Sequence, residues 1–249
     1  CNNSYQQGQF LQVVDCRTIK PGTDKMGIGL REKSFAVLRF ILGKGWTYHF
    51  PLYYQRIMEK RFDRARQEAF RYLIDKAGTD IRDKRTCLDL GCGTGITSVW
   101  LASSLSHLFV IGIDSNRVML KRARRQAKKL GVADRCSFQE GDAHHFTRAD
   151  LCRAYPEGNG LADVVVSAFG FSVMADPESV FKNTLPLLKD DGYYIIFDQY
   201  IPGLILPDFA ADQSRKSWEL VESCFIAAET KWFGNIFIAI GHGKNSAAG

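Results

Sequence analysis

Three acidic residues and three glycines in this 249-residue chain are spaced as a grip for a nucleotide-like ligand. Cys87-Leu88-Asp89-Leu90-Gly91-Cys92-Gly93-Thr94-Gly95 is an apolar strand pattern running into a glycine-rich turn, and Ile96-Thr97-Ser98-Val99-Trp100-Leu101-Ala102 continues it as a helical pattern. Glycines at 91, 93 and 95 let the backbone turn sharply and approach a ligand, with the amides of the next helix facing the same space. About 20 residues on, the run Leu108-Phe109-Val110-Ile111-Gly112-Ile113 ends in Asp114, placed to accept hydrogen bonds from ribose hydroxyls. A third run, Cys136-Ser137-Phe138-Gln139-Glu140, ends in Gly141-Asp142-Ala143, where a carboxylate can receive the exocyclic amine of a base and a small residue leaves room for its ring.

A dinucleotide fold would need its third glycine at position 96, which is Ile96. The chain instead resembles the class I S-adenosylmethionine-dependent methyltransferases, whose first motif, an acidic residue and then Gly-x-Gly-x-Gly, is matched by Asp89, Gly91, Gly93 and Gly95. The resemblance implies an α/β, Rossmann-like sheet of seven strands in the order 3-2-1-4-5-7-6, the last strand antiparallel, with helices on both faces and an N-terminal helical cap. It implies S-adenosyl-L-methionine as cofactor, held by Asp89, Gly91, Cys92, Gly93, Gly95, Asp114, Ser115, Asp142, Ala143 and Ser167. By the same resemblance the aromatic cluster Trp46, Tyr48, His49, Phe50, Tyr53 and Tyr54 forms a lid, with Tyr54 against the cofactor; the alternative is that these rings anchor the N-terminal helices.

The elements that must position these residues follow from pattern. Residues 1–29 read as an irregular arm, 31–42 as a short helix, and a second helix runs from near Pro51 to about Lys76. In that second helix Ala65, Ala69, Phe70 and Leu73 share an apolar face, with Arg64 and Arg66 elsewhere, and Gly78 leads into the first strand. This divides the chain into an arm and cap over residues 1–78 and a cofactor domain over 79–249. The basic stretch Arg117 to Leu130 reads as a helix with a solvated outer face, since no interleaved aromatics support base stacking. A polar loop spans 147–160, a fourth strand spans 162–167, a helix starts near Pro177, and Lys189-Asp190-Asp191-Gly192 turns into a fifth strand at 193–197. A helix from about Asp212 to Ser223 precedes a hairpin turned near Phe233-Gly234, and 241–249 reads as a disordered tail.

Substrate class is read from the loop Ala168-Phe169-Gly170-Phe171-Ser172-Val173-Met174, which leaves the fourth strand where an acceptor would sit. It is apolar, as is Leu204-Ile205-Leu206-Pro207-Asp208-Phe209, and it lacks the Asn/Asp-Pro-Pro-aromatic tetrapeptide of many nucleobase methyltransferases. Two regions, 169–192 and 232–241, are similar to the quinone C-methyltransferases and the soluble phosphatidylethanolamine N-methyltransferases. The expected activity is therefore methyl transfer to a small-molecule or lipid-like acceptor, against an RNA or protein methyltransferase or a non-catalytic cofactor-binding protein. His49, Tyr53, Tyr54 and Asp198 are candidate bases, and the sequence assigns the role to none of them; His144 is expected as a pocket wall. Net charge is +6, which permits contact with an anionic membrane surface; nothing in the pattern calls for nucleic acid. Seven cysteines without a Cys-x-x-Cys pair give no metal site and point to a reduced, cytoplasmic setting. No apolar run reaches the ~18 residues of a membrane span.

Overall fold

Apolar runs that alternate with helical patterns form a parallel sheet covered on both faces, because each crossover lays a helix against the strands it joins. The structure, a computed structural model, describes residues 60–83, 85–174, 176–199 and 217–245. Its strands are β1 (Thr86–Leu90), β2 (Phe109–Asp114), β3 (Cys136–Glu140), β4 (Ala162–Ala168), β5 (Leu188–Gln199), β6 (Phe225–Phe233) and β7 (Ile236–Lys244). Its helices are α1 (Lys60–Asp83), α2 (Ile96–Ser104), α3 (Arg117–Lys129), α4 (Arg148–Ala154), α5 (Pro177–Thr184) and α6 (Ser217–Cys224). One seven-stranded sheet runs β3-β2-β1-β4-β5-β7-β6, the expected order. Strands β1 to β5 are parallel, and β7 is antiparallel to both of its neighbours.

The pleat sends alternate residues into two cores. Cys87, Val110, Val164, Val166 and Ile195 pack with Ala69 and Leu73 of α1, Val99 and Leu101 of α2, and Leu120 and Ala123 of α3. Leu88, Ile111, Val165 and Ile196 pack with Leu151 of α4, Phe181 of α5 and Val221 of α6. Asp163 fixes where three strands begin. Its carboxylate accepts from the Arg85 and Thr86 amides at 3.0 Å each and from Lys189 Nζ at 2.8 Å, tying β1 and β5 to β4.

Several boundaries differ from expectation. Gly78 lies inside α1, which continues to Asp83; one interior glycine costs only about 1 kcal/mol relative to Ala, too little to end a helix anchored by Ala69, Phe70 and Leu73. The 147–160 segment contains α4, because Thr147 and Asp150 form a reciprocal capping box. Residues 189–192 belong to β5, whose pairing with β4 shifts between Ala162 and Val164. The stretch 241–244 extends β7, with the Phe225 ring lying over Gly241 so closely that a Cβ there would collide. The arm, the 31–42 helix, the aromatic cluster of 46–54, the 204–209 loop and the end of the tail lie outside the described residues.

Candidate functional site

The carboxyl ends of β1 to β4 open into a cleft of about 760 Å³, within the roughly 300–1,000 Å³ of small-molecule sites. Open α/β sheets bind ligands at this edge. The turn after β1 forms its floor. Gly91 and Gly93 adopt φ of +64° and +55°, the left-handed region that favours glycine. The Cys92 amide donates to Ile113 O at 2.9 Å, which pins the turn to β2. At Gly93 a Cβ would meet nothing within 4 Å, so the backbone there is bare to the cleft.

Two carboxylates stand at adjacent strand ends. Asp114 closes β2 and accepts from the Gly93 amide through Oδ2 and from the Asn116 amide through Oδ1, both at 2.8 Å. Burial raises its pKa, and the two amides hold it back. Asn116 then caps α3, its Oδ1 accepting from the Val118 and Met119 amides. Asp142 follows β3, largely exposed; it accepts from the His144 amide at 3.0 Å and has His144 Nδ1 2.7 Å from its Oδ1. The amide bond is the chief reason its pKa is lowered. Asn183 of α5 donates to the Ala143 and Phe146 carbonyls at 3.0 Å, fixing the backbone behind Asp142. Each Asp114 oxygen keeps a second lone pair, and Asp142 keeps its Oδ2, for a ligand hydroxyl or amine.

The opposite wall is apolar. Phe169, Gly170, Val173 and Met174 line it, and Phe169 sits at φ +58°, an uncommon conformation for a bulky side chain. Its amide donates to Phe197 O at 2.7 Å and its ring meets the Phe197 ring edge-on at 4.7 Å, so the strained backbone is held from both sides. Strain of this kind, about 1–3 kcal/mol, concentrates at functional sites.

Of the residues expected from the sequence, the fold brings Gly91, Cys92, Gly93, Asp114, Ser115, Asp142 and Ala143 to the cleft wall, together with His144. Three others stand behind it. Asp89 is 1% exposed and accepts from Ser98 Oγ at 2.5 Å, with its Oδ1 left unpartnered; burial lifts its pKa to about 7. Gly95 is the N-cap of α2 at φ +80°, where a Cβ would stand 2.7 Å from Ala123 Cβ, so its task is to let α2 and α3 approach. Ser167 is buried and its hydroxyl donates to Leu90 O at 3.0 Å, tying β4 to β1. Tyr54, Tyr53 and His49 lie outside the described residues. Asp198 is buried beneath the 169–174 loop, accepting from the Ser172 and Gln199 amides. Sequence reasoning misses Arg66, which pattern places off the apolar face yet which is buried and lines the cleft. A signal exists for it, since positions 66, 69, 70 and 73 follow the i, i+3, i+4, i+7 spacing of one helix face.

Among the described residues no three of His, Cys, Asp or Glu converge on a metal-binding geometry, and no helix is long and apolar enough to cross a membrane. A demethylmenaquinone methyltransferase of Lactobacillus johnsonii is 30% identical over 128 residues, 51% of this chain and 46% of that protein. A sterol 24-C-methyltransferase of Saccharomyces cerevisiae is 28% identical over 205 residues, 79% of this chain and 50% of that one. The chain thus spans about half the length of these curated relatives, and the expected quinone methyltransferases are among them. An O-methyltransferase family protein from Burkholderia thailandensis shares the fold, with a TM-score of 0.58 at 17% identity over 80% of this chain and 60% of that one. The family model described as a methyltransferase domain matches residues 81–237, from the end of α1 into β7 and through every strand that borders the cleft, and the chain belongs to that family.

Proposed function

We propose that the cleft binds S-adenosyl-L-methionine and that the domain transfers its methyl group to a small-molecule or lipid-like acceptor. The observation that carries this is the pair Asp114 and Asp142 on neighbouring strand ends, with the bare backbone of Gly93 between them and the apolar wall. The residues present fit the cofactor. Asp114 has acceptor capacity for a ribose diol, Asp142 for the adenine amine, and Ala143 leaves room for the ring. Gly91, Cys92 and Gly93 allow the close approach of the remaining chain, and Ser115 borders the ribose position. Asp89 and Ser167 support the turn from behind. When bound, the cofactor supplies a methyl group already activated on a sulfonium.

What remains for the protein is to align and to exclude water. The 169–174 loop does both, presenting Phe169, Val173 and Met174 as a dry face, while Asp198 beneath it holds the Ser172 amide and keeps the loop in register with β5. That burial removes Asp198 as a candidate base touching the acceptor. The helical cap over residues 1–78 belongs to the same proposal, with α1 as its described part.

The two relatives described above are named for demethylmenaquinone and sterol methylation, which supports the lipid-like class. Transfer from methyl-tritiated S-adenosylmethionine to three acceptor pools tests the reading: phospholipid vesicles, demethylated quinol precursors and bulk RNA. Label is expected in a lipid or quinol pool. Label confined to RNA overturns the acceptor class, and no saturable binding of the donor overturns the whole proposal.

A further inference from the structure

The positive charge of this protein is concentrated on one helix. Helix α3 carries seven basic residues and no acidic one, against a net charge of +6 for the whole chain, so everything outside the helix comes to −1. Two of the seven are engaged within the fold: Arg117 pairs with Glu140, and Arg124 donates to the Phe138 carbonyl. Among the described residues, Lys121, Arg125, Lys128 and Lys129 have no hydrogen-bond or ion-pair partner, and all four are exposed.

Their spacing of i, i+4, i+7 and i+8 puts these four on one side of the helix, opposite the buried Met119, Leu120, Ala123 and Ala127. Val118 shares their side and is 54% exposed. Arg117 and Val118 also line the cleft, so this face begins at the cleft's rim. Like charges at i, i+4 repel, as Lys121 and Arg125 do, and Arg125 and Lys129; a face that needs only solvation mixes both signs. Facing an anionic bilayer, the same cations each strengthen binding about fivefold. Their stems can lie along the interface with the heads at the phosphates, while the exposed valine enters the apolar boundary. Base stacking has no platform here, since α3 holds no aromatic residue.

We propose that the outer face of α3 docks on an anionic phospholipid bilayer and sets the mouth of the cleft at the headgroup layer, where a lipid-like acceptor enters. The entry route rests on the acceptor class argued above; the docking itself does not, and the test separates the two. The full chain is floated with phosphatidylcholine vesicles, and with vesicles of phosphatidylcholine and phosphatidylglycerol, at about 0.1 M salt. Binding to the mixed vesicles is expected to be at least about tenfold tighter. Lys128→Gln with Lys129→Gln should weaken it roughly 25-fold. Arg153→Gln with Lys182→Gln removes the same charge from α4 and α5, across the sheet from α3, and should stay within about twofold. Equal losses from the two pairs, or equal binding to the two kinds of vesicle, overturns the proposal, as does a wild type that leaves the vesicles for bulk RNA. Should the Lys128 and Lys129 pair fail to fold, Lys121→Gln with Arg125→Gln carries the same expectation. None of these side chains lines the cleft, so calorimetry with S-adenosylhomocysteine should read the same in every variant. Methyl transfer without vesicle binding overturns the docking alone, and vesicle binding without saturable binding of S-adenosylhomocysteine takes down the cofactor reading alone.

Discussion

At the scale of single residues, the carboxylates divide by what surrounds them. Asp114 holds two backbone amides and has lone pairs to spare, so it serves both the turn and a ligand. Replacing it by Ala is expected to weaken S-adenosylmethionine binding by about 1–3 kcal/mol, the loss for an unmade charged hydrogen bond, as read by calorimetry. Asp198 does different work. Burial lifts it to about 6, against about 3.9 for an unperturbed Asp. Between these values the folded protein keeps a proton that the unfolded chain has released. Its contribution to stability is therefore complete below the unfolded pKa and is lost as pH rises through the folded one. Asp198→Asn cannot titrate and turns one acceptor into a donor facing a backbone amide. Urea unfolding should show the wild type's advantage over it larger near pH ~4.5 than near pH ~7.5; a gap independent of pH would refute the assignment.

At the scale of elements, the glycine-rich turn separates two functions that sequence spacing makes look alike. Gly95 lies where α2 and α3 meet, so Gly95→Ala combines left-handed strain with a collision against Ala123. It should cost about 2–4 kcal/mol of stability by denaturant unfolding. Gly93 faces open space, so Gly93→Ala carries only the conformational cost, about 1–2 kcal/mol, while its methyl intrudes on the cleft and lowers cofactor affinity. The opposite ranking of the two variants would show that the turn is oriented differently. Helix α1 is also fixed from outside: the Tyr72 hydroxyl donates to Glu229 of β6, and Lys231 Nζ stands 4.3 Å from the Tyr72 ring centre. That clasp on the edge hairpin steadies the helix that carries Arg66.

At the scale of the whole molecule, one sheet separates two apolar cores and leaves its carboxyl rim for binding. A ligand spanning four strand ends couples to the stability of the fold by mass action. S-adenosylmethionine at 100 times its dissociation constant should add about 2.7 kcal/mol, a rise in Tm of roughly 5–10 °C for a domain of this size. Thermal titration reads this directly, and no shift at saturation would argue against a real site. The basic helix α3 keeps Lys121, Arg124, Arg125, Lys128 and Lys129 exposed, with Met119, Leu120, Ala123 and Ala127 buried, the solvated outer face expected from its pattern.

Local pattern in the sequence was enough for the turn after β1 and for the acids at the ends of β2 and β3, and the resemblance those motifs carry was enough for the strand order. Strand, glycine turn and helix start are encoded within a dozen residues, and the parallel crossover rule leaves little choice in assembling them. Which of those residues touch the cleft was decided only in three dimensions. Asp89, Gly95 and Ser167 share the motifs of their neighbours, yet the packing of α2 and α3 turns the first two to the back of the wall and the bond to Leu90 O holds Ser167 there. Arg66 shows the converse, since a cation on an apolar stripe gains a place in the cleft only when α1 folds over the rim beside Phe169. Periodicity fixes the face a side chain takes on its own element; what that face meets depends on elements distant in the chain, and only the tertiary packing supplies them.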